Sequence, residues 1–467
     1  MTEFIQTPNH SQELEGIDQL RSYFELGGKP RQAWRVGTEY EQVGVYTATG
    51  RAAPYSGAAG IETILRELAS RYGWKPKLED GRIIALYRDQ ASVTLEPGGQ
   101  LELAGGQCAT IHEAHQEFTT YSREIASVGS DFGISFLGLG IQPISAVNDI
   151  EMVPKQRYRI MAPYMSTVGK LGLRMMKQTA AVQVNLDYAD EADAMDKLRT
   201  AMGLSPIVNA MFANSSIAEG KLSGYVSLRG HIWTDTDPAR AGLLPFVFSG
   251  TTGFEEYVKW ALDAPMYFTI RSGRYVDLTG MPFRRFLTHG HGDMRATTGD
   301  WSLHLTTLFL EARLKTYLEV RTPDSQPSHL ALAVPALWKG VLYEPGCLEA
   351  AWDLVKRWSW DERICAYHDA HRDGLRTRVG RVSLLDLARE ILAIAWHGLD
   401  QQEALNPNGE DETVYLERLD QQMRSGSSPG QYAAENWAGP WNEDVAHLIA
   451  FSSYRGEGSS RSGPPLA

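Results

Sequence analysis

Apolar and polar residues alternate through Arg35-Val36-Gly37-Thr38-Glu39-Tyr40-Glu41-Gln42-Val43-Gly44-Val45, a two-residue period that predicts a strand. Side chains on a strand alternate faces, so Glu39 and Glu41 point one way while Trp34, Val36 and Tyr40 point toward a core. Carboxylates held that close raise each other's pKa or require a cation between them. The pattern recurs downstream. Ile83 to Tyr87 and Ala91 to Leu95 read as strands around a turn at Arg88-Asp89-Gln90, and Glu96-Pro97-Gly98-Gly99-Gln100 leads into Leu101 to Leu103. Val93, Leu95, Leu101 and Leu103 take the core parity, leaving Thr94, Glu96, Gln100 and Glu102 on the other face. Thr179 to Tyr188 sets Val182, Val184 and Leu186 against Gln183, Asn185 and Asp187. Tyr225 to Trp233 is expected to be a less regular strand with Arg229 on its polar side, and Arg274 to Gly280 another. The last strand is expected over Thr316 to Pro323, with Leu318 and Val320 facing in and Tyr317, Glu319 and Arg321 facing the other way.

Between these runs the period changes to that of helices. One helix is expected before about residue 30, an amphipathic one over Ala58 to Tyr72, and one over roughly Gln107 to Ser127, ahead of an apolar strand near Phe136 to Gln142. Thr288-His289-Gly290-His291-Gly292 reads as a mobile loop. Beyond Pro327 the chain turns mostly helical, and Ser383 caps a helix running to His397 with Leu384, Leu387, Ala388, Ile391 and Ile394 on one stripe. The expected organisation is one domain over residues 1–453, with 328–453 helical and a disordered Gly/Ser/Pro/Arg-rich end from Ser452, assigned as a tail over 454–467.

Composition narrows the partners. A chain of 467 residues with 43% hydrophobic content can bury a large core, and a formal charge of -12 without a long basic run argues against nucleic acid. Cys108, Cys347 and Cys365 are too few and scattered for a disulfide framework, and the start lacks a signal-peptide pattern. No apolar stretch is long enough to span a bilayer. A cytoplasmic location without membrane contact is therefore expected.

The polar faces carry the chemistry. An exposed sheet face is ordinarily polar, so one such strand has no special meaning. Here Glu39, Glu41, Glu96, Glu102 and Glu319 recur on separated strands beside Gln100, Gln183, Asn185, Arg229 and Arg321, in a chain whose many helices should cover both faces. That combination points to a cavity. All-oxygen ligands select a hard cation, with Mg²⁺ the usual choice beside phosphate, and Arg229, Arg321 and Lys315 supply charge for a phosphate or carboxylate. No GxxxxGK[ST] loop and no GxGxxG following a strand is present. His112-Glu113-Ala114-His115 lacks zinc-helix spacing and reads as a solvated face, and His289 and His291 read as loop residues.

The residues also resemble a known family, the plant and proteobacterial type of glutamate-cysteine ligase. The resemblance runs from Trp34 to Leu399 through WRVGTEYEQVGV, SVTLEPGGQLELAG, GLRMMKQTAAVQVNLDY, SLRGHIWTDTDPARAGLLPFVF, ALDAPMYF, GRYVDLTGMPFRRFL and HLTTLFLEARLKTYLEVRTPD. It implies an α+β fold similar to the catalytic core of glutamine synthetase: a curved antiparallel sheet with a metal- and ATP-binding concave face, surrounded by helices. It implies ligation of the glutamate γ-carboxylate to the cysteine amine through an acyl phosphate, with ATP as co-substrate and two or more Mg²⁺ ions. Glu39, Glu41, Glu96, Glu102 and Glu319 match the metal ligands of that fold. Gln183 stands near a metal-binding histidine of that fold, which makes Gln183 or Asn185 a candidate ligand; Gln183, Asn185 and Arg321 are expected to bind the cofactor, and Arg321 with Lys315 would serve the transferring phosphoryl group. Arg229 resembles the clamp on the glutamate α-carboxylate, with Trp233 and Tyr267 similar to pocket residues. The segment Thr288 to Asp300 is shorter than the cysteine-bearing loop of plant members, so no plant-like redox switch is expected. A monomer or homodimer is expected, and a ligase of the same fold using another amine is the alternative.

Overall fold

The strand carrying the acid pair, Val36–Tyr46 (β1), is the axis of the protein, whose structure is a computed structural model describing residues 11–250 and 252–454. The main sheet continues with Lys75–Glu79 (β2), Arg82–Arg88 (β3), Ala91–Leu95 (β4), Leu101–Ala104 (β5), Ile134–Leu137 (β6), Val182–Leu186 (β7), and then Ala312–Leu314 and Leu318–Val320. Among the described residues these nine strands follow the order Ala312–Leu314, Leu318–Val320, β7, β1, β5, β4, β3, β2, and β6 pairs the far end of β1. Every pairing is antiparallel. The length of β1 lets three neighbours share it: β7 along Val36 to Tyr40, β5 along Glu39 to Gln42, and β6 along Val43 to Tyr46.

Alternation explains which face is dry. Val36, Tyr40, Val93, Leu95, Leu101, Leu103, Val182, Val184, Leu186, Leu318 and Val320 are fully buried on one side. Helices Ile61–Tyr72 and Ile111–Asp131 (α2 and α3, after α1 at Ile17–Glu25) cover this side at β1, β3 and β6, and the helix Ala333–Leu342 covers β7. The polar side is roofed by Gln156–Val168 (α4), Gly172–Gln178 (α5) and, after Glu191–Met211 (α6), Leu228–Trp233 (α7). Beyond the sheet, α6 packs against Pro345–Val355 and Trp360–Asp373. Ser383 caps Leu384–Asp400 through a reciprocal bond pair with Asp386, which matches the expected helix start.

Four expectations fail. Tyr225 to Trp233 is not a strand: Ser227 caps α7 by accepting from the Gly230 amide at 3.1 Å. Leu228 and Ile232 are both buried, and their four-residue separation suits a helix as well as a strand, which is why alternation misled there. Arg274–Asp277 is a strand, but it pairs only with Phe268–Arg271 in a separate hairpin. The supposed loop begins inside a helix, Phe283–His289, and only Gly290 to Gly292 leave it. Disorder does not start at Ser452: that residue ends the helix Val445–Ser452, Ser453 bridges Leu137, and Tyr454 is buried. The remainder of the expected tail lies outside the described residues, and no helix among those described is long and apolar enough to cross a membrane.

Candidate active site

Strand register brings the acids together. Glu41 stands opposite Glu102, which stands opposite Thr94, and Glu39 stands opposite Gln183. Glu319 is paired across the ladder with Asn185 on one side and Arg313 on the other. All five predicted acids line one cavity of about 50 Å³, together with Gln183, Arg229, Trp233, Arg313, Lys315 and Arg321. Glu96 and Arg157 also border a much larger chamber of about 920 Å³, floored by Gly37, Ala85, Ser92 and Thr94 and walled by Tyr23, Tyr87 and Tyr317. Short side chains on the sheet leave that space above it. Asn185 faces this chamber rather than the inner cavity.

Hydrogen bonds orient the acids. Glu41 accepts from the Ala181 amide at 2.7 Å and from Gln183 Nε2 at 2.8 Å, Glu39 accepts from Asn185 Nδ2 at 3.0 Å, and Glu102 accepts from Thr94 Oγ1 at 2.5 Å. Burial, with Glu319 and Glu102 nearby, raises the Glu39 carboxyl to about 7. Burial, then the charges of Glu96 and Glu102, raises Glu41 to about 8, and Glu96 is raised by burial and by Glu102.

Glu319 has the opposite environment. Its carboxylate contacts Arg313 Nη2 at 2.5 Å, Arg321 Nη1 at 2.6 Å and Lys315 Nζ at 3.2 Å. Burial works to raise its pKa, and Arg313, Lys315 and Arg321 override that and hold it well below the usual carboxylate range. Arg321 also donates to Gln183 Oε1, so Gln183 links the acidic and basic walls.

Four of the acids suit a hard divalent cation: they offer only oxygen, Glu39 and Glu102 are buried and Glu41 and Glu96 half-buried, and desolvation with the charges of neighbouring acids raises Glu39, Glu41 and Glu96. No three His, Cys, Asp or Glu side chains among the described residues already form a metal-binding group. That is compatible with Mg²⁺, which takes one or two carboxylates and completes its shell with water and substrate phosphates rather than a protein cage.

The predicted substrate residues divide. Arg229 lies on α7, lines the inner cavity, and donates to the carbonyls of Thr322 and Arg321 at 2.9 Å each. Trp233, one turn on, lines the same cavity beside Phe309, and its buried Nε1 lacks a hydrogen-bond partner. Tyr267 does not reach the cavity. Its ring lies 3.9 Å under the Arg240 guanidinium and its hydroxyl donates to Asp237 at 3.3 Å, so it is a core residue. The sequence reading missed Arg313 of the inner cavity, Arg157 of both cavities and Lys155, which borders the larger chamber. Arg313-Leu314-Lys315 has strand spacing and could have flagged the first, but Lys155 and Arg157 belong to the start of a helix roofing the sheet, which alternation cannot reveal.

The sequence model of glutamate-cysteine ligase family 2 matches residues 35–450. A chloroplastic glutamate–cysteine ligase B of Oryza sativa subsp. japonica is 42% identical over 92% of this chain and 85% of its own. The chloroplastic glutamate–cysteine ligase of Solanum lycopersicum is 40% identical over 92% and 81%. A solved glutamate–cysteine ligase of Francisella tularensis in complex with AMP aligns with a TM-score of 0.48 and 13% identity, over 89% of this chain and 88% of that one. The plant relatives are named chloroplastic, which overturns the cytoplasmic location expected from the sequence. With the family model spanning most of its length and relatives this similar, the chain belongs to glutamate-cysteine ligase family 2.

Proposed function

We propose that the inner cavity is where this chain, a carboxylate–amine ligase by its family, joins the γ-carboxylate of glutamate to the amino group of cysteine with ATP as co-substrate, the first step of glutathione synthesis. One observation carries the assignment: the carboxylates of Glu39, Glu41, Glu96 and Glu102 face Arg229, Arg313, Lys315 and Arg321 across a space that opens beside a chamber large enough for a nucleotide.

Glu39, Glu41, Glu96 and Glu102 would hold the Mg²⁺ ions, and Gln183 and Asn185 would orient Glu41 and Glu39 rather than bind the cofactor themselves. A bound cation would neutralise phosphate charge and so ease attack by an anionic carboxylate. Glu319 acts differently from the other acids: its oxygens are committed to Arg313, Lys315 and Arg321, and it would aim those cations at the transferring phosphoryl group. Arg229 spends two of its five N–H donors on carbonyls and keeps others for the substrate α-carboxylate. The inner cavity is smaller than an amino acid, so substrate would exchange its own groups for wall pairings such as Gln183 with Arg321. A γ-carboxylate oxygen attacks the terminal phosphorus and the bond to ADP breaks. The cysteine nitrogen then attacks the acyl carbon, phosphate leaves, and the amine loses a proton.

The test is phosphate release with ATP, Mg²⁺, glutamate and cysteine, alongside mass identification of γ-glutamylcysteine. Release that depends on both amino acids and matches amide formed is expected. Folded protein giving no cysteine-dependent product would sink the assignment, and product from a different amine would reassign the acceptor.

A further inference from the structure

Arg229 cannot hold a substrate carboxylate reproducibly unless α7, a helix of under two turns, is itself held, and the groups that hold it converge on one buried acid. Asp324 has no solvent exposure. Its Oδ2 accepts from the Asn214 amide at 2.8 Å and from Ser215 Oγ at 2.6 Å, and its Oδ1 accepts from Ser227 Oγ at 3.0 Å. Two of these partners belong to α7 as much as to Asp324: Ser227 is its cap, and Ser215 Oγ accepts from the Arg229 amide at 3.0 Å. The Arg229 guanidinium lies 3.7 Å from Asp324 Oδ1, too long for a hydrogen bond but close enough to balance a charge in a dry wall.

The other side of Asp324 is tied to the metal-side strand. Asp324 bridges Ala181, whose amide donates to Glu41, and the next residue, Ser325, donates from Oγ to the Glu41 carbonyl at 2.5 Å. The backbone fits around the carboxylate. A Cβ on Gly140 would come within 2.5 Å of Asp324 Cγ, so only glycine allows the approach.

We propose that Asp324 is a positioning residue for Arg229, fixing the cap of α7 and the guanidinium against the end of the strand that carries Glu319 and leads into Arg321. The inference rests on the reading of Arg229 as the clamp on the glutamate α-carboxylate. Asp324 touches neither cavity and is not a catalytic residue. Substitution by asparagine keeps the shape, removes the charge beside Arg229, and presents an N–H donor to groups that are themselves donors.

Steady-state constants for glutamate, cysteine and ATP, with thermal unfolding, are to be measured on the full chain and on Asp324→Asn, Ser215→Ala, Ser227→Ala and Arg229→Lys. The expected result for Asp324→Asn is a rise in glutamate KM on the order of 10-fold or more, as for loss of a group orienting a ligand-binding side chain, with ATP KM within about twofold. Each serine variant should raise glutamate KM by less. Equal changes in all three KM values, or an unchanged glutamate KM in Asp324→Asn while Arg229→Lys raises it, would overturn the proposal. Should Asp324→Asn fail to fold, the serine variants decide: unchanged glutamate KM in both overturns it. Arg229→Lys with normal glutamate KM would remove the reading of Arg229 and this inference with it.

Discussion

Glu41 and Glu319 project from the same face of one sheet and line the same cavity, yet their surroundings are opposite. Glu41 meets two other acids and is pushed up to about 8 by burial and their charges. Glu319 meets three cations and is held far below the carboxylate range despite its burial. Residue type and strand parity are identical, so the difference comes from the charged groups that the fold sets beside each acid. Across the ladder Glu41 faces Glu102, and Glu319 faces Arg313. Glu41 keeps acids as its nearest charged neighbours across the ladder, whereas Glu319 has received three cations from the chain.

The contrast can be broken by changing each acid to its amide. Glu319→Gln leaves three cations without their shared anion, and a loss of about 3–5 kcal/mol in urea unfolding is expected, as for breaking a buried pair. Stability within error of the parent would contradict the caged role. Glu41→Gln should do the reverse. It relieves repulsion, so metal-free stability should hold or rise, while ligation rate falls roughly 10²–10³-fold through loss of electrostatic stabilisation. A stable variant with normal turnover would remove Glu41 from the site.

The raised acids also set a pH dependence. Glu39 and Glu41 titrate at about 7 and about 8 in the folded chain against 4.5 ordinarily, so the folded state binds more protons between those values. Their contribution to stability is fully present below pH 4.5 and is lost as pH rises through 7 to 8. The Tm of metal-free protein should therefore fall across this window, and Mg²⁺ with an ATP analogue should raise Tm more at pH 8 than at pH 6, because the acids are more fully ionised at pH 8. A Tm gain independent of pH would contradict the assignment. The smallest effect is expected at Tyr267→Phe, which should cost about 1 kcal/mol of stability for its bond to Asp237 and leave glutamate KM unchanged.

The sheet was legible because a strand's period is two and its buried face leaves few options: Val182, Val184 and Leu186 sort from Gln183 and Asn185 by parity alone. That parity also placed Glu39, Glu41, Glu96, Glu102 and Glu319 on the cavity side. Short helices were less legible, as Leu228 and Ile232 satisfy either period and only the cap at Ser227 decides. Tyr267 was misplaced because its fate depends on Arg240 and Asp237, which share its neighbourhood only after folding. The caging of Glu319 by Arg313 depends on a strand pairing, and Asp324 gathers Asn214, Ser215 and Ser227 from more than ninety residues away. Such long-range pairings are set by topology rather than local pattern.

The most direct test is to count Mn²⁺ ions bound by electron paramagnetic resonance, in the presence of a non-hydrolysable ATP analogue, for the parent chain, Glu41→Gln and Glu319→Gln. Two or more ions are expected in the parent, weaker or fewer sites in Glu41→Gln, and parent-like binding in whatever fraction of Glu319→Gln is folded. Parent-like Mn²⁺ binding by Glu41→Gln, with sites lost from folded Glu319→Gln, would contradict that expectation.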